Sequence, residues 1–325
     1  MARRSSATKK RIVYAALAGN LAIAVTKFIA AAISGSSAMF SEGVHSLVDT
    51  GNELLLLYGL RRSAEPPSVE HPLGHGRELY FWNFVVALLV FALGAGVSIY
   101  QGITHLHHPQ RMGSATVAYI VLALSFVFEG ASWRVAYTEF RRSKGKLGYV
   151  EAIRRSKDST TFTVLLEDTA ALIGIVIAFT GLFMSRALGM HALDGIASIL
   201  IGAVLGVTAI VLATETKALL IGEQALPEIR RSVLQIAGED AGIDHANGVI
   251  TAQMGPNRIF AALSAEFHDG QTTREIELCV NRIEKRIRAA HPEIATLFVK
   301  PQTAATWKKR RAALEDATEE DVTPA

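Results

Sequence analysis

The sequence predicts a membrane protein whose fold class is an all-α bundle of six transmembrane helices followed by a small cytoplasmic α+β domain. Three observations predict it. Half of the 325 residues are hydrophobic, and the mean hydropathy of +0.28 is high for a water-soluble chain. Six apolar stretches are each long enough to cross about 30 Å of hydrocarbon at about 1.5 Å per residue. After Lys217 the composition becomes that of a soluble domain.

Charge and cysteine content exclude several classes of protein. The net charge is only +3, and the basic residues sit mainly beside apolar stretches, so nucleic-acid binding is not predicted. The single cysteine, Cys279, provides neither a disulfide framework nor a cysteine-based zinc finger. The apolar stretch after the basic cytoplasmic segment 1–11 is too long for a signal-peptide core, so we predict that it is the first span.

The transmembrane domain is predicted to occupy residues 12–216. Its spans cover approximately residues 12–33, 38–60, 79–105, 113–135, 162–184 and 193–214. Lysine and arginine are concentrated in the N-terminal segment and in the loops after spans two and four, whereas the remaining connections hold only Arg111 and Arg186. Because positive loops stay in the cytoplasm, both termini are predicted to be cytoplasmic.

The second span carries ionisable residues at membrane depth. His45 and Asp49 are four residues apart, a spacing that stacks their side chains on one helix face about 5–6 Å apart at Cβ. Glu42, Asn52 and Glu53 extend the same stripe. Ionisable groups are costly inside a membrane, and an imidazole with a carboxylate can bind a divalent cation. We therefore expect one half of an intramembrane metal site here.

The fifth span supplies the expected second half. Glu167 and Asp168 lie about as deep in their span as His45 and Asp49 do, and adjacent helical residues point about 100° apart. The four side chains are candidate ligands of one shared site. The alternative is that each polar residue is satisfied by another helix, for example Asp168 by Lys27.

Three further polar residues lie in the first and fourth spans. Asn20 and Lys27 are seven residues apart and hence nearly on one face of span one, and span four contains Glu129 beside Ser125. Lys27 either pairs with a membrane carboxylate or extends its ammonium group to the interface. Asn20, Lys27 and Glu129 are candidates for proton coupling or gating.

The loop before the third span contains Glu70, His71 and His75. Two histidines beside a carboxylate can form a secondary metal site. The proline and glycines around them equally describe an ordinary tight loop with solvated histidines.

Periodicity places α-β-β-α-β elements in residues 217–302, the order of a ferredoxin-like α+β domain. Before this domain, in span six, Asp194 suits a helix N-terminus, and Gly195, Gly202 and Gly206 suit close helix packing. The predicted domain elements are Pro227–Gly238, Val249–Met254, Ile259–Phe267, Thr272–Ala290 and Ala295–Val299. An antiparallel-type sheet is expected, and residues 303–325 are expected to form a disordered tail.

These features together resemble the cation diffusion facilitator family over about residues 10–302. They are the six spans, His-x-x-x-Asp in span two, His-Pro-x-Gly-His-Gly before span three and the α-β-β-α-β domain. Residues 165–169, Leu-Leu-Glu-Asp-Thr, are similar to the zinc transporter 9-like branch. The resemblance implies a homodimer that exports divalent cations, usually zinc, in exchange for protons. His45, Asp49 and Asp168 match the family's transport site, and His71 and His75 match its loop histidines.

The sequence departs from the family pattern at three places. Val164 stands where the family usually has a histidine or aspartate, so either three protein ligands plus water bind the metal or Glu167 replaces the missing ligand. Fewer imidazoles favour harder metals, so manganese, iron or cobalt join zinc as candidates. Ser68 replaces a common acidic residue of the loop, with Glu70 as a stand-in. Phe298–Gln302 offers no metal ligand, so the tail domain is expected to dimerise without metal.

The resulting prediction is a secondary transporter rather than an enzyme. It has no cofactor, its substrates are protons and a divalent cation, and its partners are a second copy and the lipid of a plasma membrane or bacterial inner membrane. Two alternatives stay open. One is a proton-coupled organic-cation transporter that uses Asp49, Asp168 and Lys27. The other is an intramembrane metal-dependent hydrolase, although the usual His-Glu-x-x-His helix is absent.

Overall fold

The computed structural model describes residues 20–108 and 113–320. The predicted basic segment 1–11, the start of the first span, Arg111 and residues 321–325 lie outside the described residues. The chain forms two compact units. The first contains the chain up to Ala64 together with Glu78–Ala218, and the second contains Glu65–Arg77 together with the chain from Leu219. The histidine-containing loop thus belongs to the second unit, whereas the sequence analysis grouped it with the spans.

The first unit is helical throughout its described elements. A π-helical segment, Val90–Ala95, separates α3 from α4 without interrupting the span. The helices are α1 (Asn20–Ser34), α2 (Ser37–Ser63), α3 (Glu78–Leu89), α4 (Gly96–His107), α5 (Thr116–Lys144), α6 (Tyr149–Arg155), α7 (Ser159–Leu188) and α8 (Ala192–Ile221).

Four helices within the described ranges are long and apolar enough to cross a membrane. They are Glu78–His107, Thr116–Arg142, Ser159–Leu188 and Ala192–Ile221, which confirms four of the six predicted spans. The helix α1 is apolar but is described only from Asn20. The helix α2 has 27 residues, enough for about 40 Å, so it is long enough to cross a membrane. Its polar stripe makes it less apolar than the four helices named above.

The first unit places apolar side chains outside and polar side chains inside. On α2 the large apolar residues Leu47, Leu54 and Leu57 are exposed, whereas Glu42, His45 and other polar residues of the helix are buried. This distribution suits a bundle surrounded by lipid, in which ionisable groups face the bundle interior.

Glycines allow α4 and α8 to approach closely. A Cβ on Gly102 would lie 2.6 Å from the Gly195 carbonyl oxygen, and a Cβ on Gly202 would lie 2.6 Å from Ile99. The predicted packing role of Gly195 and Gly202 is confirmed. Gly206 differs, since a Cβ there would make only an ordinary contact with Ala95.

The second unit contains the predicted α-β-β-α-β order. A capping box between Thr272 and Glu275 begins α10, and the Ile283 and Ile287 side chains of that helix are buried against the sheet. The elements are α9 (Pro227–Gly238), β1 (Ile243–Gly255), β2 (Arg258–Phe267), α10 (Thr273–Ala290), β3 (Ile294–Pro301) and α11 (Ala304–Glu320).

The sheet is mixed rather than antiparallel throughout. Its strand order is β1-β2-β3, with β1 antiparallel to β2 and β2 parallel to β3. The crossover through α10 explains the parallel pair, because a helix between two strands returns the chain to the same end of the sheet. The expectation of an antiparallel-type sheet is therefore wrong for β3. The three strands agree with a small α+β domain, while a complete ferredoxin-like topology stays a prediction.

The expected disordered tail is helical from Ala304 to Glu320. The Trp307 ring lies against Gly248, where a Cβ would come within 2.5 Å of it. The Ala304 amide donates to Glu266 over 2.9 Å, and the Asn247 side chain donates to the Gln302 carbonyl over 2.6 Å. These contacts with the sheet supply the order that the composition of the tail alone did not predict.

Asp240 connects the end of α9 to α10. Its carboxylate accepts hydrogen bonds from Arg282 at 2.8 and 3.2 Å, from the Gly242 amide at 3.0 Å and from the Cys279 thiol at 3.2 Å. The hydrogen bonds from Arg282 are the main reason that the Asp240 pKa falls to about 2. Burial is the main reason that the Cys279 pKa rises to about 11. The one cysteine is therefore a buried thiol within the core of this unit.

We predict that Asp240→Ala destabilises the protein by about 1–3 kcal/mol, because it leaves buried donors without their acceptor. The folded pKa of Asp240 lies below its ordinary value of 3.8, so its contribution is present above about pH 4 and is lost as the pH falls toward 2. Unfolding of the full chain in detergent, followed by circular dichroism, should give a difference from wild type that is complete at pH 7 and shrinks between pH 4 and pH 2. Glu239→Ala, which removes an exposed partner of Arg286, is the matched control and should have the smaller effect. A difference that does not change with pH would contradict this assignment.

Candidate metal centre

The N-terminal turn of α2 is fixed by two acceptors. The Ser36 hydroxyl accepts from the Met39 amide at 3.1 Å as the N-cap. The Asp194 carboxylate of α8 accepts from the Ser37 amide at 2.5 Å and from the Ser37 hydroxyl at 2.8 Å. Asp194 lies in the first turn of its own helix, as the sequence predicts, but its carboxylate caps a different helix. It thereby fixes where the polar stripe of α2 begins.

His45 and Asp49 meet as the spacing predicts. The His45 Nδ1 atom lies 3.3 Å from the Asp49 Oδ1 atom, and the imidazole is only 1% exposed. Neither ring nitrogen has a hydrogen-bond partner among the described residues. The structure therefore buries an imidazole beside a carboxylate and leaves both nitrogens unused, which is the donor pair that a divalent cation requires.

A cavity of about 130 Å³ opens beside this pair. This volume exceeds the roughly 30 Å³ that one water occupies in the liquid, so the cavity has room for a cation with some of its water. Five carboxylates from three helices line it, joined by Asn20 and Ile23 of α1. The polar lining consists of Asn20, Ser46, Asp49, Glu53, Glu129, Ser132, Glu167 and Asp168.

Amide and hydroxyl donors hold three of the cavity carboxylates. The Asn20 side chain donates to Glu53 over 2.7 Å, and Asn52 donates to Glu167 over the same distance. The Ser132 hydroxyl donates to Asp168 over 2.8 Å. Glu53, Asn52 and Ser132 are missing from the predicted ligand set. Their spacing was the available signal, since Glu53 follows Asp49 by four residues and Ser132 follows Glu129 by three.

Three predicted ligands, Asp49, Glu167 and Asp168, line the cavity, whereas His45 lies behind Asp49 outside its lining, and the four do not meet at one point. Among residues 20–108 and 113–320, no group of three or more His, Cys, Asp or Glu side chains is close enough to hold a metal ion. Glu167 and Asp168 are engaged with Asn52 and Ser132, and Val164 lines the cavity where a ligand would extend the set. The carboxylates of Glu167 and Asp168 are suitable ligands for a divalent cation. To bind one, they would have to leave Asn52 and Ser132.

Lys27 pairs with Glu42. The Lys27 Nζ atom lies 3.1 Å from Glu42 Oε2 and 2.7 Å from the Ser46 hydroxyl, and both charged side chains are completely buried. The prediction of a membrane carboxylate as partner is confirmed, while the alternative partner Asp168 is wrong. Because the positive charge of Lys27 is balanced by Glu42, it does not neutralise the carboxylates of the cavity.

The loop histidines come together within the second unit. The rings of His71 and His75 have centroids 4.6 Å apart. The turn is closed by the Gly74 amide, which donates to the His71 carbonyl over 2.8 Å, and Gly76 lies against the Met254 carbonyl. Glu70 is exposed, and no third ligand within the described chain joins the pair. A metal role for Glu70, His71 and His75 stays a prediction.

Comparison with known proteins shows which sequences this chain resembles. Residues 13–221 match the family model described as the cation efflux transmembrane domain. The chain is 36% identical over 251 residues to the mouse protein named proton-coupled zinc antiporter SLC30A9, mitochondrial. It is 32% identical over 249 residues to Arabidopsis thaliana metal tolerance protein C4 and 26% identical over 284 residues to the Klebsiella pneumoniae cation-efflux pump FieF.

The relatives differ in how much of their own length is matched. The mouse alignment covers 76% of this chain and 44% of the mouse protein, and the Arabidopsis alignment covers 76% and 54%. The Klebsiella alignment covers 87% of this chain and 89% of the relative. The chain thus spans about half the length of the eukaryotic relatives that it matches.

We predict that Lys27→Met lowers the stability of the folded protein by about 3–5 kcal/mol, because it leaves the Glu42 carboxylate buried and unpaired. The double variant Lys27→Met with Glu42→Gln should recover much of this loss, since no isolated charge remains. Thermal unfolding of the full chain in detergent measures both effects. Arg142→Met, which removes an exposed ion pair with Glu139, is the control and should change the midpoint little. A Lys27→Met variant as stable as wild type would show that the pair does not compensate buried charge.

Proposed function

The chain belongs to the cation efflux family, in the zinc transporter 9-like branch, and from its buried site we propose that it exports divalent metal cations from the cytoplasm in exchange for protons. Family membership confirms the resemblance predicted from the sequence. The chain is an integral membrane protein with apolar helices.

One observation carries the proposal. The buried His45 imidazole, whose ring nitrogens are unused, lies 3.3 Å from Asp49, and Asp49 lines a small cavity together with four other carboxylates. Carboxylates grouped in a partly buried cavity attract cations more strongly than exposed ones do, because the protein screens the attraction less than water does. The neutral Lys27–Glu42 pair leaves that attraction intact.

Zinc is the proposed cation. We propose that His45, Asp49 and Asp168 bind it and that Glu167 supplies the fourth ligand by exchanging Asn52 for the metal. The name of the mouse relative, a zinc antiporter, supports this choice. Val164 leaves the site with one imidazole among carboxylates, a donor set that also accepts manganese, iron(II) or cobalt.

Transport is proposed to follow alternating access, with the helices rearranging around a fixed site. Metal enters when the ligands are deprotonated, because only the deprotonated forms of histidine and carboxylate bind metal well. Protons that return to the same ligands after the site opens to the other side favour metal release. Asn20 and Glu129, which line the cavity, are proposed to control access to it. Lys27 is proposed to act indirectly, by holding Glu42.

The proposed orientation has both termini in the cytoplasm, as the positions of lysine and arginine favour. The sequence analysis expected a plasma or bacterial inner membrane, whereas the mouse relative carries a mitochondrial name. We also propose a homodimer formed through the second unit. Exposed apolar residues on this unit support it, among them Phe298, whose ring lies 5.8 Å from that of Phe260.

The open alternatives predict different dependences on metal. An organic-cation transporter would move its substrate without metal, and a hydrolase would require a metal-bound water and a general base. Membership of a family of efflux proteins favours transport over hydrolysis. Flux of a metal ion against a proton gradient separates all three.

We predict that His45→Ala, Asp49→Asn and Asp168→Asn each reduce zinc flux into proteoliposomes at least about 100-fold, because each removes a proposed ligand. The measurement is zinc uptake across an imposed pH gradient, compared with manganese, iron(II) and cobalt. Asp158→Asn is the matched control, since Asp158 caps the exposed start of α7 and asparagine caps equally well. Normal zinc flux in any of the first three variants would remove that residue from the site.

We predict that Val164→His shifts the preference from manganese toward zinc by about tenfold, because an added imidazole on the cavity wall softens the donor set. The ratio of the two transport rates, measured at equal metal concentrations, tests this. Val164→Leu changes the size of the side chain without adding a ligand and should leave the ratio unchanged. An equal ratio in the histidine variant and wild type would place position 164 outside the coordination sphere.

A further inference from the structure

A second buried polar cluster lies at the end of the bundle where α2 begins. Asp194 of α8 is completely buried there and bonds to Ser37, and its Oδ1 atom accepts from the Ser36 hydroxyl at 2.5 Å. His105 of α4 faces the same carboxylate, with its Nε2 atom 3.8 Å from Asp194 Oδ2. This cluster is separate from the cavity, whose lining includes none of its residues.

The His105 imidazole is buried without a hydrogen bond to its Nε2 atom within the described chain. Its side chain is 4% exposed. The charged group that faces the His105 ring is Asp194 of α8, and the start of α2 contributes the hydroxyls of Ser36 and Ser37 to the same cluster. His191 lies before α8, and its carbonyl accepts from the Asp194 amide.

Hydroxyl groups occupy successive turns of α2 and α8 between this cluster and His45, and we call them the hydroxyl line. Ser41 follows Ser37 by one turn of α2, and Ser198 follows Asp194 by one turn of α8. The Ser41 and Ser198 hydroxyl oxygens are 2.5 Å apart, and the Ser198 hydroxyl donates to the Ser98 carbonyl over 2.8 Å. His45 is the next residue of the α2 line, one turn beyond Ser41.

Three groups along this line are buried with unused hydrogen-bonding capacity. The Nε2 atom of His105, the Ser98 hydroxyl and both ring nitrogens of His45 have no hydrogen-bond partner within residues 20–108 and 113–320. Buried polar atoms rarely stay unpaired, and ordered water is their usual partner. A hydroxyl or a water can accept one proton while it donates another, so such a line can conduct protons.

We propose that His105, held by Asp194, is the proton-accepting residue at this end of the bundle and that the Ser37–Ser41–Ser198 line carries its proton to the metal site. The inference rests on the proposed metal–proton exchange. A hydronium ion at this end of the bundle transfers one proton to His105 Nε2 and becomes water, and His105 becomes an imidazolium beside the Asp194 carboxylate. The imidazolium returns that proton to the line, where each hydroxyl or water accepts one proton and releases its own. His105 ends neutral, and the site gains one proton.

The two routes reach the site from opposite directions along α2. The hydroxyl line uses residues 37 to 45, in the N-terminal half of the helix, whereas the cavity is lined by α2 residues from Ser46 to Leu56. Protons and metal can therefore approach His45 and Asp49 from different ends of the bundle. This separation suits an exchanger, because the two substrates need not pass each other in one channel.

The test compares His105→Gln with His107→Gln in proteoliposomes, since His107 lies on the same helix but is exposed. Zinc flux and zinc-driven proton flux are recorded together while the pH is varied on the side where α2 begins. For His105→Gln we expect both fluxes to fall about tenfold and their dependence on that pH to flatten. The KM for zinc, and zinc binding to the purified protein, should stay within twofold of wild type. His107→Gln should match wild type throughout.

A second pair of variants keeps the proposal testable if His105→Gln folds poorly. Ser198→Ala removes a hydroxyl from the line with little change of volume, and Thr214→Ala removes an exposed hydroxyl from the same helix as its control. We expect Ser198→Ala alone to slow proton flux and flatten the pH dependence.

The outcomes separate this inference from the function on which it rests. Wild-type zinc flux without proton flux would overturn the proposed exchange itself. Coupled flux in wild type with unchanged pH dependence in both His105→Gln and Ser198→Ala would overturn the proton line alone. Lower yield or thermal stability of these variants with a normal pH profile would likewise overturn it and leave the cluster as a helix cap.

Discussion

The free-energy cost of holding ionisable side chains away from water governs the first unit. In α2 the usual distribution of side chains is reversed, with leucines facing outward and carboxylates, imidazole and hydroxyls facing inward. Most of these inward groups contact a polar group of another helix, because an unpaired polar group is costly inside a bundle surrounded by lipid. Lys27 of α1 meets Glu42, Asn52 meets Glu167 of α7, and Asp194 of α8 meets the first turn of α2. Helix α2 is therefore held in place by polar contacts on several sides.

The same constraint gives these contacts two distinct roles. The Lys27–Glu42 pair and the Asp194 cap each join two helices through direct contacts, so they fix positions, although the Glu42 Oε1 atom has no hydrogen-bond partner in the described chain. The His45 ring nitrogens and one oxygen of Asp49 have no hydrogen-bond partner in the described chain, so they keep their capacity to bind. A buried site that binds and releases a substrate needs both kinds of group side by side, because rigid neighbours keep the unused donors aimed at the same point.

Sequence spacing predicted the parts of this arrangement that lie within one helix. The His45–Asp49 pair follows directly from the i, i+4 geometry, and the helix predicted over Thr272–Ala290 follows from its periodicity. What the spacing could not provide was the choice of neighbours. Glu42 as the partner of Lys27, and Asp194 as the cap of a distant helix, depend on which helices pack together. The parallel β3 strand and the helical tail likewise depend on long-range contacts.

The π-helical segment Val90–Ala95 affects how this chain should be aligned with others. A π turn holds one more residue than an α turn, and one residue of helix corresponds to about 100° of rotation. Residues after it, including Ser98, Gly102 and His105, therefore face α8 only because of the inserted residue. An alignment that treats Glu78–His107 as one uniform helix would misplace them by one position. Conversely, deleting a single residue between Val90 and Ala95 would turn the rest of the span away from its neighbours without altering its hydropathy.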